Sequence, residues 1–396
     1  MTASSAAPTK GQAALPWALI AAACLGSFAA SSSGTTRAPF LLSMSDDLGI
    51  SMPLVANLVT LTATAWGTVS ALAGYLSDRV GRRPVLVGAL FALALTLAAQ
   101  AAAGSFGWVA LWAAMGGGCA GAFTGVVFAE VSGRVPDSQR GRALGWVMSG
   151  QSLTLLVGMP MAAAVGAFVG WRGWLLCVGG FALLASLCLF ATVGRGTAGH
   201  MRAAARPPLR RALSRRVLGL LGTGVAERIC YGLAAVYFAT FLESTYHLSL
   251  IEIALPLAVF AIGNVAGTIL GGQLADRLRD RLLTFAVAMA LSGVAALALF
   301  LWHPRLEVSV ALGFVYVLLN ALGRPSYMAS LAAVPDDVRG TVLGLNGTSA
   351  SVGWIGAAAL GATMIGWVGF EGFGPLAALL ALAAAAGALW NRRRAS

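Results

Sequence analysis

The stretch that decides the fold is GYLSDRVGRRPVL, residues 74–86. It places one aspartate and three arginines in a chain of which only 10% is charged and 58% is hydrophobic. On both sides lie apolar runs of about 20 residues, the length that a helix needs to cross a hydrocarbon core. These runs do not alternate polar with apolar residues, as barrel strands would. We therefore interpret the stretch as a loop between transmembrane helices of an all-α polytopic membrane protein.

The apolar runs set the topology. Because twelve runs can be marked, an even number, both termini lie on one side of the membrane. Most of the 26 basic residues fall on that side, so the positive-inside rule predicts cytoplasmic termini. Topology also explains the net charge of +12 without nucleic acid as a partner. The predicted spans are residues 15–37, 53–76, 84–103, 107–131, 141–168, 172–194, 217–243, 251–274, 282–302, 308–333, 340–367 and 373–391.

The chain contains an internal repeat. GYLSDRVGRR (74–83) is answered by GGQLADRLRDR (271–281), and VPDSQRGRALG (135–145) by VPDDVRGTVLG (334–344). Two matches at an offset of about 200 residues indicate a duplicated unit. The sequence thus predicts two pseudo-symmetric six-helix bundles, residues 1–194 and 217–396. Secondary transporters use such repeats to place a binding site between two bundles.

A basic segment, residues 195–216, joins the two predicted bundles. Its arginines are expected in any cytoplasmic loop, so a solvated linker is one interpretation. Binding to anionic lipid headgroups is the other.

The segment GYLSDRVGRRPVL resembles the loop signature of the major facilitator superfamily, and the resemblance covers essentially the whole chain. Within that superfamily, the fifth span is similar to that of the twelve-helix drug:proton antiporters and their sugar-efflux relatives. Glycines there precede a kink at a proline, which Gly150, Gly158, Pro160 and Gly166 match. Met159 separates Gly158 from the proline, and the fourth span lacks the arginine that many drug antiporters carry. The resemblance thus favours efflux and leaves a multidrug role open.

The resemblance also implies a gate on the cytoplasmic face. Gly74 lets the end of the second span approach a neighbour closely. Asp78 then offers its carboxylate to the positive end of the eleventh span, near Arg339. The repeat predicts a mirrored contact from Asp276 to the start of the fifth span, near Arg140. Both contacts would stabilise the state that is closed on the cytoplasmic side.

A third gate contact involves Arg82. It matches the signature arginine that pairs with an acidic residue of the fourth span, which is Glu130 in this sequence. The alternative is that a short cytoplasmic loop simply accumulates arginine. The other residues of the predicted gate are Arg79, Gly81, Arg83 and Arg277.

Small residues recur every four positions on the fifth and eighth spans, a spacing that lets helices pack closely. The fifth span carries Gly158, Ala162 and Gly166. The eighth carries Gly263, Gly267 and Gly271. The resemblance implies that these two spans meet across the two bundles.

Few charges lie deep in the predicted spans, and such charges are functional candidates by default. Glu227 and Arg228 lie about 15 Å into the seventh span, and Arg324 lies at a similar depth in the tenth. Adjacent helical residues point about 100° apart, so Glu227 is expected to pair with Arg324 instead of Arg228. The pair is either a proton-coupling site in the substrate cavity or a static ion pair. Arg37, near the outer end of the first span, either guides an anionic substrate or snorkels to the interface.

No nucleotide loop, metal-ligand cluster or nucleophile constellation is found in the sequence, so we expect no enzyme, cofactor or metal site. The predicted function is a secondary transporter of the inner membrane that exports a small organic compound in exchange for protons. Its expected partners are that substrate, protons and the lipid bilayer, and it is expected to be a monomer. The alternatives are a proton-coupled importer of a sugar or organic acid, and a non-transporting receptor or assembly protein.

Overall fold

The computed structural model describes residues 16–135, 137–193, 213–278, 280–331, 333 and 336–393. The side chains of residues 71, 74, 75, 78, 132, 137–142, 276, 336–341, 343 and 344 are outside this description. The described residues form α-helices with short irregular connections and no strand. The helices are α1 (Trp17–Thr35), α2 (Leu41–Leu48), α3 (Met52–Val80), α4 (Arg82–Ala102), α5 (Phe106–Gly133), α6 (Asp137–Leu153), α7 (Met159–Thr192), α8 (Arg215–Tyr246), α9 (Ala254–Arg277), α10 (Arg281–Leu301), α11 (Leu306–Leu331), α12 (Asp336–Trp367) and α13 (Phe373–Arg393).

The prediction of an all-α polytopic membrane protein is confirmed. Eleven helical segments among the described residues are long and apolar enough to cross a membrane. One of them, Ala143–Thr192, has 50 residues. At about 1.5 Å per residue this is more than twice the thickness of a hydrocarbon core. Its backbone leaves helical geometry at Gly170, where φ is 69° and ψ is 177°, a conformation open to glycine.

The predicted fifth and sixth spans therefore lie in one segment that bends at Gly170, and the eleven segments overlap the twelve predicted ranges. We number the spans accordingly. Helices α1, α3, α4 and α5 are spans 1–4, α6 with α7 up to Gly170 is span 5, and the rest of α7 is span 6. Helices α8 to α13 are spans 7–12. The short helix α2 follows span 1 and was not predicted.

A π-helical turn, Thr154–Gly158, interrupts span 5. The Thr154 hydroxyl lies 3.2 Å from Ser32 Oγ and donates to the Phe28 carbonyl oxygen at 3.2 Å, so the turn packs on span 1. Pro160 follows after Met159. Since proline has no N–H to donate to the preceding turn, it favours an irregular backbone at this point.

The glycines of span 5 also face span 1. A β-carbon at Gly150 would fall within 3.0 Å of the Cys24 carbonyl oxygen, and one at Gly166 within 3.0 Å of the Phe40 ring. At Gly158 the nearest atom would be in the ring of Phe28, at 3.3 Å. Gly150 and Gly158 thus allow spans 1 and 5 to approach closely, and Gly166 does the same for the turn Ala38–Phe40 that follows span 1.

One close helix contact involves equivalent pairs of spans in the two bundles, but the glycines lie on different members. In the first bundle they lie on span 4, and in the second on span 8. A β-carbon at any of them would fall within 3.0 Å of the partner's backbone or side chains. Span 4 meets Thr62, Trp66 and Ser70 of span 2 through Gly117, Gly121 and Gly125. Span 8 meets Phe314, Leu318 and Leu322 of span 10 through Gly263, Gly267 and Gly271.

Spans 5 and 8 do contact each other, as the resemblance implied, but the small-residue face of each is turned to a partner in its own bundle. The bundles also meet where span 2 packs on span 11, and where α8 packs on the 3₁₀ turn Ala38–Phe40. All residues from Ile229 to Leu242 of α8 are buried. Nearer the start of α8, Leu218 is 50% exposed. Span 7 is therefore enclosed on all sides only in its second half.

The helix ends form two opposite faces of the molecule. The arginine-rich face is the one where α8 and α10 begin and α13 ends; its described arginines include Arg82, Arg134, Arg216, Arg281 and Arg392. The opposite face carries Asp47, Arg172 and His303.

Candidate functional site

Glu227 lies in the middle of α8 and is only 1% exposed. Arg324 of α11 donates to Glu227 Oε1 from both Nε and Nη2, each at 3.1 Å. The Nε atom of Arg228 lies 3.8 Å from the other carboxylate oxygen. The structure thus brings the predicted partners Glu227 and Arg324 together, and places Arg228 beside them. One buried carboxylate is shared by two guanidinium groups.

Polar and aromatic groups surround this carboxylate. The Tyr231 ring faces both guanidinium groups, with its centroid 4.8 Å from Arg324 Cζ and 5.9 Å from Arg228 Cζ. Asn320 Oδ1 accepts a further hydrogen bond from Arg324, at 3.4 Å. Among the described residues, Arg228 Nε and the Tyr231 hydroxyl are buried without a hydrogen-bond partner. We call Glu227, Arg228, Tyr231 and Arg324 the Glu227 cluster. Through Arg228 and Tyr231 it can form further hydrogen bonds.

The Glu227 cluster reaches the contact between the two bundles. Tyr231 lines a small cavity of about 10 Å³ together with Leu155 and Met159 of span 5 and Asn264 of span 8. Such a volume holds about one water molecule. On its other side, Tyr231 packs edge-on against Trp354 of span 11, with centroids 5.8 Å apart. A movement of one bundle against the other would therefore change the surroundings of the cluster directly.

A second carboxylate between two arginines lies at the arginine-rich end of α5. Glu130 Oε2 is 3.8 Å from Arg82 Nη1, which also donates to the Ala129 carbonyl oxygen at 3.0 Å. Arg134 Nε donates to the other oxygen of Glu130. Sequence reasoning chose Arg82 as the partner and missed Arg134, although its spacing of four residues along a helix is a recognisable signal.

Arg83 and Gly81 contact residues of their own bundle. Arg83 Nη2 donates to the Phe190 carbonyl oxygen at 2.6 Å, and its guanidinium lies 4.4 Å from the Phe190 ring centroid. Gly81 joins α3 to α4 with φ at 92°, in the region that favours glycine. Arg79 and Arg277 lie exposed at the ends of α3 and α9.

The two contacts expected to cross between the bundles remain predictions. The side chains of Asp78, Asp276, Arg140 and Arg339, and the surroundings of Gly74, lie outside the described residues.

The expectation that Arg37 snorkels to the interface is wrong. Its side chain is buried, with only 4% of the residue exposed, because the turn Ala38–Phe40 and α2 cover the end of span 1. Arg37 donates to Thr62 Oγ1 at 2.8 Å and to Gln100 Oε1 at 3.3 Å. No carboxylate of the described residues lies within 4.0 Å of it. Arg37 therefore belongs to the packing of spans 1, 2 and 3, away from the Glu227 cluster.

Sequence reasoning also missed an ion pair on the opposite face. Asp47, near the end of α2, accepts from Arg172 Nη2 at 2.8 Å and from Trp171 Nε1 at 3.2 Å. Arg172 further donates to the carbonyl oxygens of Ala101 and Ala103, each at 2.7 Å. The pair thus ties α2 to the ends of spans 3 and 6. Within the described part of the chain, no group of three metal-ligating side chains is found.

Comparison with known proteins decides the family. The profile of the Major Facilitator Superfamily matches residues 23–226 and 220–396. The chain belongs to the Major Facilitator Superfamily. The predicted superfamily is therefore confirmed, and the chain is a multi-pass membrane transporter and not an enzyme.

Among relatives of this superfamily member, a chloramphenicol resistance protein of Streptomyces lividans is 27% identical over 308 residues, which cover 73% of the chain and 78% of the relative. Two solved structures share the fold at 16% identity. One is a bacterial homologue of the human lysosomal transporter Spinster, inward-facing and unoccupied, with a TM-score of 0.71 and coverage of 97% of this chain and 96% of that one. The other is a D-xylose-proton symporter, with a TM-score of 0.73 and coverage of 93% and 97%.

Proposed function

We propose that this transporter exports a small organic compound in exchange for protons, and that Glu227 carries the coupling proton. The observation that carries the proposal is a carboxylate only 1% exposed, held by Arg324 of another span at the contact between two bundles. Burial of a charge without a partner costs several kcal/mol, so Glu227 stays ionised only while a guanidinium remains beside it. The carboxylate binds a proton when that contact is lost.

Alternating access supplies the reason for losing the contact. The two moving bundles would be residues 1–194 and 217–396, with the substrate bound between them. Arg324 and Tyr231 lie where the bundles meet, so movement of the bundles would separate Arg324 from Glu227. The carboxylate would then hold either a proton or a hydrogen-bond donor of the substrate, but not both. Exchange of one for the other follows because proton and substrate compete for the same carboxylate.

Export is supported by the relative named for chloramphenicol resistance, since a transporter confers resistance by lowering the concentration of a drug inside the cell. The glycine and proline residues of span 5, which resemble those of drug:proton antiporters, also favour export. The excess of arginine on one face supports a cytoplasmic location for that face and for both termini, in an inner membrane. We expect the unit to act as a monomer.

The test is pH-driven uptake by purified transporter in proteoliposomes, with chloramphenicol as the first substrate offered. Glu227→Gln keeps the side-chain shape but cannot titrate, so we expect substrate binding and downhill exchange to remain and gradient-driven accumulation to disappear. The control is Glu252→Gln, an exposed glutamate in the connection before α9, which should accumulate substrate normally. Full accumulation by Glu227→Gln would remove the proton-carrier assignment.

The alternative is that the pair only fixes span 7 to span 10. The double variant Glu227→Gln with Arg324→Gln distinguishes the two, because it removes both members of the pair. Arg228 loses its carboxylate in the single and double variants alike, so the difference between them reports on Arg324. Gradient-driven transport should return only if the pair is structural. Everted membrane vesicles test the direction: an exporter accumulates substrate inside them, whereas a proton-coupled importer accumulates it in right-side-out vesicles.

A further inference from the structure

A cavity of about 420 Å³ opens on the arginine-rich face, at the ends of spans 7, 8, 9, 10 and 12. The ends of α8, α9, α10, α11 and α13 surround it. Four arginines line it, Arg216, Arg277, Arg281 and Arg392, with Asp280 as the one described acidic residue among them. We call this cavity the arginine pocket. Apart from the exposed Arg277, no described residue of the predicted gate or of the Glu227 cluster lines it.

Asp280 neutralises only one of these charges. It forms an ion pair with Arg392, and its Oδ1 accepts a hydrogen bond from the Leu283 N–H at 3.0 Å as the N-cap of α10. Arg281 Nε donates to the Ala275 carbonyl oxygen at 3.4 Å, which leaves its charge uncompensated. No carboxylate of the described residues lies within 4.0 Å of Arg216 or Arg277. Counted over the described lining residues, four arginines and one aspartate, the pocket carries three positive charges in excess.

An anion with several acceptor oxygens fits such a pocket. Guanidinium groups bind phosphate with two parallel hydrogen bonds, and they do so more strongly than neutral donors. The segment that follows span 6 cannot supply a neutralising group, since residues 194–212 contain five arginines and no aspartate or glutamate. Among the described residues that line the pocket, only Asp280 carries a negative charge, so an anion from outside the chain would meet the remaining positive charge.

The height of the pocket indicates where the anion comes from. Trp390 is 60% exposed and lies two residues before Arg392, which is about 3 Å along the helix axis. Exposed tryptophans at the ends of spans lie at the level of lipid headgroups. The pocket wall also contains apolar side chains, including Leu278, which is 47% exposed. A site at headgroup height with an apolar wall suits a lipid better than a dissolved anion.

We propose that the arginine pocket binds the phosphate of an anionic phospholipid, of the phosphatidylglycerol or cardiolipin class, from the leaflet on the arginine-rich face. The bound phosphate joins the ends of spans 7, 8, 9 and 12 through Arg216, Arg277, Arg281 and Arg392. It thereby stabilises the second bundle at the face where its helix ends would otherwise repel one another. This inference is independent of the direction of transport and of the coupling ion.

The test uses the full-length transporter in a neutral detergent, with native mass spectrometry for binding and thermal unfolding for stability. Phosphatidylglycerol should bind at least tenfold more tightly than zwitterionic phosphatidylcholine and should raise the unfolding temperature. Arg216→Gln with Arg277→Gln should weaken phosphatidylglycerol binding by roughly tenfold per arginine, since each loses a charge-assisted hydrogen bond. Arg305→Gln, an exposed arginine on the opposite face, is the matched control and should bind normally.

Three results would overturn the assignment. They are equal affinity for the two lipids, unchanged lipid binding by the double variant, and equal stabilisation by inorganic phosphate alone. If the double variant does not fold, Arg277→Lys replaces it, because lysine keeps the charge and loses the two-point contact. That variant should bind phosphatidylglycerol more weakly than the unmodified chain and more tightly than phosphatidylcholine binds, and unaltered binding would count against the pocket.

Discussion

Glu227 and Glu130 have the same kind of immediate partners and different surroundings. Each carboxylate has two arginines within 4.0 Å. The arginine side chains around Glu227 are 18% and 19% exposed, whereas those around Glu130 are 26% and 36% exposed. Glu227 lies in the middle of a span and Glu130 near the end of one. Both carboxylates are buried, Glu227 at 1% and Glu130 at 5% exposed, so the difference lies in the arginines, which reach solvent more readily around Glu130.

The residues in contact therefore do not by themselves determine the role of a charge cluster. At the rim, Arg82 and Arg134 can turn to water when the contact breaks, so its loss costs less and the cluster suits a gate that opens and closes. In the interior, a lone charge has no such solvent, so a broken contact forces a proton to move or another ligand to arrive. The same constellation thus suits a latch in one place and coupling in the other.

The largest effect is expected for Arg324→Gln. The substitution leaves the Glu227 carboxylate buried, with Arg228 at 3.8 Å as its remaining cation. We expect a loss of about 3–5 kcal/mol in the free energy of unfolding, measured by chemical or thermal unfolding in detergent. A loss below about 1 kcal/mol would mean that water or Arg228 already compensates Glu227, and the contrast with Glu130 would disappear.

The matched control is Arg37→Gln. Arg37 is 4% exposed, so a charge is again removed from a buried position. It has no carboxylate partner among the described residues, and its removal strands no opposite charge. We expect it to cost less than half as much as Arg324→Gln, which would separate the loss of an ion pair from the loss of a buried arginine.

A smaller effect is expected for Glu130→Gln. Arg82 and Arg134 can turn to solvent when the carboxylate charge is removed, so the expected loss is about 1 kcal/mol in the free energy of unfolding. Transport should slow if the contact belongs to the gate, while accumulation driven by a pH gradient should persist. The reverse pattern, with accumulation lost in Glu130→Gln and kept in Glu227→Gln, would transfer the coupling role to Glu130.

The spans could be predicted from sequence because bilayer thickness fixes helix length locally, and composition alone then marks each run. The same logic reached the partner of Glu227, since few charges lie at that depth and Arg324 was the one at matching depth in another span. Lateral packing could not be reached in this way. The glycines of span 8 were expected to serve its contact with span 5, yet they face span 10, because helix rotation depends on the whole bundle.

Arg37 and Asp47 show the same limit at the opposite face. Nothing local distinguishes an arginine that snorkels from one that the following turn covers, and the burial of Arg37 depends on where α2 folds back. Asp47 finds Arg172 across 125 residues of sequence. Such a pairing follows from the positions of spans 1, 3 and 6 together, which no sequence period encodes.

The smallest effect is expected for Asp47→Asn, and it tests exposure against distance. Asp47 and Arg172 are 2.8 Å apart, closer than the 3.1 Å between Glu227 and Arg324, but their side chains are 44% and 36% exposed. If distance governed stability, Asp47→Asn would cost as much as Arg324→Gln. If exposure governs it, the loss stays below about 1 kcal/mol, because asparagine still accepts hydrogen bonds and solvent screens the lost charge. Thermal unfolding at about 0.1 M and about 1 M salt decides between them, since the Debye screening length falls from about 10 Å to about 3 Å over that range. High salt should abolish the effect of Asp47→Asn and leave that of Arg324→Gln, whereas an equal and salt-independent loss in both would show that burial does not distinguish the two pairs.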